Sequence, residues 1–150
     1  MHKNNMHKRN KKISEHFSQK DFSCKCGKCD TEIKISLGLI GGLELLRSKC
    51  RKHINILKGY TCPEYSITKK DFRKNYHSLG IAADITIDNL NLKEAFKLAE
   101  TIPEFKGIGL NLSEKHIHID TRKEKNKTSW ITQNGKILEL NEKNLNQYLE

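Results

Sequence analysis

The most informative stretch of the sequence reads His116-Ile117-His118-Ile119-Asp120. Side chains alternate between the two faces of a strand, so a strand here would place both histidines and the aspartate on one face. The two isoleucines would then enter the core from the other face. Any one of the polar residues alone would fit an ordinary solvated strand face, but two imidazoles and a carboxylate together form a candidate site.

A second alternating stretch runs from Ile81 to Ile87 and predicts another strand, with Asp84 on the face opposite Ile85. A carboxylate among apolar neighbours is costly to bury unless it meets a cation or several hydrogen-bond donors. A metal ion would supply that cation, and His77, just ahead of the strand, would supply another ligand. Backbone amides could equally satisfy Asp84 and leave His77 unrelated. Two histidines and one aspartate would suit catalytic zinc, which keeps a fourth position for water.

The remaining periodicity predicts an α+β fold in a single domain, with a mainly antiparallel sheet and helices packed on one side. Three helices are expected to begin at the cap residues Ser18, Ser36 and Asn91. The second should end near Lys52, and its buried stripe should comprise Leu37, Ile40, Leu43, Leu46 and Cys50. Further strands are expected around residues 54–56, 108–110, 130–131 and 137–138. The last two flank Asn134-Gly135, a strong hairpin signal.

The charge is unevenly distributed along the chain. The 150 residues contain 28 Lys and Arg against 18 Asp and Glu, a net charge of +10. Residues 1–12 carry several of the basic residues and no acidic one, which predicts a solvated basic tail ahead of a domain at 13–150. The excess favours a polyanionic partner, such as nucleic acid, an anionic cell wall or an acidic membrane surface.

The cysteines raise a separate possibility. The chain has five, an odd number, and Cys24, Cys26 and Cys29 are too close together for comfortable mutual disulfides. Three thiolates at this spacing could hold a structural metal ion. The candidates for a fourth ligand are Cys50, Cys62 and His16. Cysteines without a metal are an equally good interpretation, because this spacing is a weak signal.

Two motifs resemble those of the zinc D-Ala-D-Ala carboxypeptidases. Residues 75–84 read Asn-Tyr-His-Ser-Leu-Gly-Ile-Ala-Ala-Asp, similar to the family motif Ser-x-His-x-x-Gly-x-Ala-x-Asp, and residues 116–118 resemble its partner His-x-His. The wider group includes lysostaphin-type endopeptidases and the hedgehog signalling domain. The resemblance extends from Ser14 to Trp130, with weaker matches at Gly59-Tyr60 and at residues 107–109.

The resemblance implies that His77, Asp84 and His118 bind a zinc ion, Zn2+. It implies a role for His116 as an acid/base or oxyanion-stabilising group beside the metal. Zinc would polarise the scissile carbonyl and activate water, while a neighbouring group moves a proton to the departing amine. Asp120 is a candidate to orient the ring of His118.

The sequence departs from the family at two functional positions. Lys115 stands where many relatives carry a carboxylate, and Glu114 could take that role if a turn redirects it towards the site. Thr61 stands where relatives carry an arginine that grips a terminal carboxylate. Arg73 is a candidate replacement, and Tyr76 is a further candidate substrate contact.

The leading hypothesis is a zinc metallopeptidase that hydrolyses amide bonds in peptidoglycan peptides, as a D,D-carboxypeptidase or an endopeptidase. The first alternative is a catalytically inactive zinc-containing module that binds the cell wall or a protein. A nucleic-acid-binding zinc protein ranks third, because it leaves the His-x-His motif unexplained. The sequence contains no apolar run of about 20 residues and no signal peptide. We therefore expect synthesis in the cytoplasm and, for a cell-wall target, release by a phage-type route.

Overall fold

The computed structural model describes residues 10–26, 33–63 and 75–148. These residues form one α+β domain, which confirms the predicted fold class. The helices are α1 (Leu37–Cys50), α2 (Leu92–Glu100) and α3 (Glu142–Tyr148). The strands are β1 (Ile54–Lys58), β2 (Ala82–Ile87), β3 (Gly107–Asn111), β4 (His116–Asp120), β5 (Thr128–Gln133) and β6 (Lys136–Glu139). None of the helices in these ranges is long and apolar enough to cross a bilayer.

The six strands form one sheet in the order β1-β2-β4-β3-β5-β6. Neighbouring strands are antiparallel except β3 and β5, which are parallel. The register pairs Asp84 of β2 with His118 of β4, His118 with Gly109 of β3, and Gly109 with Trp130 of β5. Directly paired residues project from the same face of a sheet. One row across four strands therefore carries a carboxylate, an imidazole and an indole.

The opposite face of the sheet forms the core with the helices. Ile85, Ile117 and Ile119, whose alternation predicted an inward face, are fully buried or nearly so. Leu43 of α1 and Phe96 of α2 belong to the same apolar cluster. The helices thus cover one face of the sheet, as predicted, and the polar side chains are left to the other face.

The predicted caps of both long helices are present. Ser36 Oγ accepts a hydrogen bond from the Leu39 amide at 3.1 Å, and Asn91 Oδ1 accepts one from the Glu94 amide at 2.8 Å. Such side-chain acceptors satisfy amides that have no partner inside the first turn. The helix expected at Ser18 is a single 3-10 turn, Gln19–Phe22.

Two details of α1 differ from the prediction. Leu37 and Cys50 were expected on the buried stripe, but Leu37, the first residue of the helix, is 86% exposed and Cys50, the last, is only partly buried. The buried stripe consists of Leu39, Ile40, Gly42, Leu43 and Leu46. Helix α1 ends at Cys50 because Arg51 adopts a left-handed conformation with φ of 54°.

The hairpin is confirmed, whereas α3 was not predicted. Asn134 and Gly135 both have positive φ, 51° and 79°, as the favoured two-residue turn between β5 and β6 requires. The sequence of α3 has almost no apolar periodicity, because Leu145 is the one residue that this helix buries.

Most of the proposed basic tail, residues 1–9, lies outside the described residues. The Lys11 carbonyl accepts a hydrogen bond from the Gln19 amide at 2.9 Å.

Candidate metal centre

Three side chains that the sequence singled out meet on the polar face of the sheet. His118 Nδ1 lies 3.0 Å from Asp84 Oδ1, and His77 Nε2 lies 3.3 Å from the same oxygen. The three donor atoms are within 4.8 Å of one another. Asp84 and His118 meet because β2 and β4 pair in register, and His77 arrives from the turn that precedes β2.

Each imidazole is oriented through its other nitrogen. His77 Nδ1 lies 2.9 Å from the Gly59 carbonyl, and His118 Nε2 lies 2.8 Å from Asp120 Oδ2. Both oxygens only accept hydrogen bonds, so these nitrogens carry the protons. The remaining nitrogen of each ring faces Asp84. Asp120 therefore occupies the orienting position that the sequence suggested for it.

The site concentrates negative charge around His118. Burial alone would lower the pKa of His118, but its hydrogen bonds to Asp120 and Asp84, and their charges, raise it to about 9. Burial would also raise the pKa of Asp84, but the hydrogen bonds from His118 and His77 hold it well below the ordinary range. The pKa of Asp120 is likewise lowered, because hydrogen bonds from Arg122 and His118 outweigh its burial. The same surroundings would attract a metal cation.

The donor set fits a zinc ion. With bonds of about 2.0–2.1 Å from zinc to nitrogen or oxygen, tetrahedral ligands lie about 3.3 Å apart. The separations of 3.0 and 3.3 Å around Asp84 Oδ1 are close to that value. The two orienting hydrogen bonds are also typical of metal-bound histidines. His77, Asp84 and His118 could therefore hold a metal ion without rearrangement of the sheet.

His116 lies beside the three candidate ligands without joining them. Its Nε2 is 3.6 Å from Asp84 Oδ2, and its Nδ1 is 3.5 Å from Glu114 Oε2. His116 is buried, whereas the side chain of Glu114 is 72% exposed. The sequence left open whether a turn would redirect Glu114 towards the site. The turn between β3 and β4 does bring its carboxylate to His116.

An open cleft of about 210 Å³ lies over this face. Its lining consists of Asp84, Gly109, Asn111, His116, His118, Trp130 and Thr132. The Trp130 ring centroid lies 5.6 Å from that of His118. Gly109 makes this contact possible, because a Cβ there would lie 2.5 Å from Trp130 Nε1.

Sequence reasoning missed the part that Trp130 and Arg122 play at this site. The Arg122 guanidinium forms two 2.8 Å hydrogen bonds with the Asp120 carboxylate. It also lies over two aromatic rings, 4.7 Å from Tyr76 and 5.1 Å from Trp130. The one tryptophan of the chain was a usable signal. Arg122 had no comparable signal, because a basic residue two positions after Asp120 is unremarkable in so basic a chain.

The residues considered as substrate contacts, Tyr76, Thr61 and Arg73, differ in where they lie relative to the site. Tyr76 is half-buried under Arg122. Thr61 is only 3% exposed, and its amide donates to the His77 carbonyl at 3.4 Å. Arg73 lies outside the described residues.

Three of the cysteines form a second group, which includes Cys62, one of the candidates for the fourth ligand. Cys24, Cys26 and Cys62 have sulfur atoms within 4.8 Å of one another and could hold a metal ion. Cys29 lies outside the described residues. Of the other candidates for a fourth ligand, Cys50 lies at the end of α1. The ring of His16 is paired with Glu44 at 2.6 Å, and His16 and Cys50 both lie outside the group.

Neither a scan against protein-family models nor a search of curated protein sequences returns a match to this chain.

Proposed function

We propose that the protein is a zinc-dependent peptidase that hydrolyses amide bonds in peptidoglycan peptides. The observation that carries the proposal is the convergence of His77, Asp84 and His118 within 4.8 Å, beside an open cleft. Two imidazoles and one carboxylate are a donor set that catalytic zinc sites use. The two motifs that resemble the zinc D-Ala-D-Ala carboxypeptidases support the choice of substrate.

The side chains around the candidate ligands are suited to proton transfer. A bound zinc ion would act as a Lewis acid that polarises the scissile carbonyl and favours ionisation of water. His116 lies between Asp84 in the cleft and Glu114 at the surface. A proton can pass through the two nitrogens of its ring to the exposed Glu114 carboxylate, or return to a departing amine.

The described lining of the cleft offers polar and apolar contacts that suit a peptide. Asn111 and Thr132 offer polar side chains, and Trp130 offers an apolar ring. None of the described residues that line the cleft is a lysine or arginine. Thr61 is buried, and Arg122 is paired with Asp120. A terminal carboxylate would therefore find neither lysine nor arginine among the described residues that line the cleft.

The test combines zinc content with turnover of purified muropeptides. His118→Ala should lose turnover and the zinc ion at this site, because it removes a ligand. His116→Ala should keep its zinc and lose turnover by about 10²- to 10⁴-fold, the usual contribution of a general acid or base. His53→Ala is the matched control, since His53 is exposed and its carbonyl, which bonds to the Asp88 amide, remains.

Two results would contradict the proposal. Unchanged zinc content in His118→Ala would overturn the ligand assignment. Absence of turnover in zinc-loaded wild-type protein, with crosslinked and uncrosslinked muropeptides, would overturn the peptidase function. The second result, combined with binding to peptidoglycan, would favour the catalytically inactive module.

A further inference from the structure

The second group of candidate ligands joins two segments that are far apart in the sequence. Cys24 and Cys26 follow the 3-10 turn, and Cys62 lies after β1. The Cys62 amide donates to Cys24 Sγ at 3.3 Å, and Cys62 Sγ lies 3.7 Å from Cys26 Sγ. Cys62 is 4% exposed, and the other two are partly buried. Three sulfur atoms thus meet at the edge of the core.

We propose that Cys24, Cys26 and Cys62 bind a second metal ion, a zinc ion with a structural role. With zinc–sulfur bonds of about 2.3 Å, sulfur ligands in a tetrahedral site lie about 3.8 Å apart. The distance of 3.7 Å between Cys26 and Cys62 matches that spacing. A disulfide would need the sulfurs at about 2.0 Å and would leave Cys24 outside the bond.

The surroundings of the sulfurs are suited to holding a metal cation. The amide of Cys62 points its proton at Cys24 Sγ, and such hydrogen bonds accompany metal-bound ligands. Lys25, between two of the ligands in the sequence, adds positive charge against the three thiolates. Sulfur donors select zinc over magnesium or calcium, which prefer oxygen.

This second ion would also support the candidate active site. The Tyr60 amide donates to the Phe22 carbonyl at 3.0 Å, so residues 59–62 run beside the segment that leads to Cys24. The Gly59 carbonyl accepts the hydrogen bond from His77 Nδ1 at 2.9 Å. A metal ion that binds Cys62 to Cys24 and Cys26 would therefore hold the residues that orient His77. We infer that the cysteines are positioning residues for that ligand.

The first experiment is elemental analysis of protein purified under reducing conditions. Wild-type protein should contain two zinc ions per chain, whereas Cys26→Ser and Cys62→Ser should contain one. Cys50→Ser is the matched control and should keep two, because Cys50 lies outside the group. His118→Ala should keep the ion at the cysteines, so failure of this inference is distinguishable from failure of the proposed function.

Cobalt substitution gives a readout that does not depend on activity. Cobalt-loaded His118→Ala should show the near-ultraviolet charge-transfer band of a cobalt–thiolate bond, and the same protein with Cys62→Ser should lack it. This spectrum also decides the case if Cys62→Ser alone does not fold. The positioning role predicts that zinc affinity at His77, Asp84 and His118 falls by about 10- to 100-fold in Cys26→Ser.

Three results would overturn the inference. The first is wild-type protein with a single zinc ion that His118→Ala removes and Cys62→Ser keeps. The second is a Cys26–Cys62 disulfide, found by alkylation and mass spectrometry of the native protein. Unchanged zinc affinity at His77, Asp84 and His118 in folded Cys26→Ser would overturn the positioning role.

Discussion

The Asp120 carboxylate offers the sharpest test of how the site is built. Asp120 is fully buried and accepts hydrogen bonds from His118 Nε2 and from the Nε, Nη2 and backbone amide of Arg122. Asp120→Asn preserves the shape of the side chain. It removes the charge and turns one of the two acceptor oxygens into a donor. Oδ2 accepts from His118 Nε2 and Arg122 Nη2, and Oδ1 accepts from the Nε and backbone amide of Arg122, so either orientation of the new amide loses two hydrogen bonds. Arg122 also loses its close ion-pair partner and keeps the more distant Glu124, at 4.0 Å.

The expected magnitude has two parts. Loss of a group that orients a metal-bound histidine costs about 10- to 100-fold in metal affinity, which is about 1.4–2.7 kcal/mol. Loss of one partner from a buried ion pair costs about 3–5 kcal/mol. The Arg122 side chain is 15% exposed, so we expect the lower end of that range, about 3 kcal/mol. A loss of that size lowers the melting temperature by about 6–12 °C in a domain of this length.

The assay measures zinc affinity by competition with a chromophoric chelator, at a temperature where the variant is folded. The zinc ion to be measured is the one at His77, Asp84 and His118, which is recognised because its binding is absent in His118→Ala. Asp88→Asn is the matched control, because it makes the same substitution at an exposed position. A folded Asp120→Asn protein with wild-type zinc affinity would refute the orienting role of Asp120. A melting temperature equal to that of Asp88→Asn would refute the energetic argument.

Two further predictions test other contacts. Gly109→Ala places a methyl group against Trp130, so the ring must leave His118; we expect an increased KM at unchanged zinc content. Gly41→Ala is the control, because a methyl group at Gly41 would have no atom within 4 Å. An equal KM in the two variants would contradict the packing argument. Burial would raise the pKa of Glu44, but hydrogen bonds from His16 lower it below the ordinary value of 4.5. The pair of Glu44 and His16 therefore stabilises the fold fully above pH 4.5. This stabilisation is lost as the pH falls through the lower pKa of the folded state. Glu44→Gln should cost about 1 kcal/mol in urea denaturation at pH 7, and the cost should shrink as the pH falls through the folded-state pKa of Glu44; a cost that stays equal from pH 7 into the acid range would contradict this.

The local features of the fold could be predicted from the sequence because each has a short-range cause. Alternation in 116–120 predicts which side chains face the core, and the buried isoleucines confirm it. Ser36 and Asn91 have side chains that accept from the first helical turn. Asn134-Gly135 tolerates the positive φ of the hairpin. Each of these depends on a few neighbouring residues and not on the rest of the chain.

The features that could not be predicted depend on distant residues. The sequence left Cys50, Cys62 and His16 as equal candidates to join Cys24 and Cys26, and only the fold brings Cys62, 36 positions after Cys26, beside it. Alternation places Asp84 and His118 on strand faces, but only the pairing of β2 with β4 sets them opposite each other. The motif resemblance suggested that they act together, whereas periodicity alone did not. Helix α3 escaped prediction because one buried leucine gives no period.

The turn between β3 and β4 bears on the role of Glu114. Lys115 adopts a left-handed conformation with φ of 58°, which costs a residue other than glycine roughly 1–2 kcal/mol. Two hydrogen bonds offset that cost: the Glu114 amide donates to Asn111 Oδ1 at 2.9 Å, and Ser113 Oγ accepts from the Asn134 amide at 3.0 Å. The left-handed residue reverses the chain just before His116, so the Glu114 carboxylate comes within 3.5 Å of the His116 ring. A carboxylate one position earlier than in the related motif is therefore still adjacent to His116, the group that we propose transfers the proton, and a lysine at 115 is compatible with that proposal.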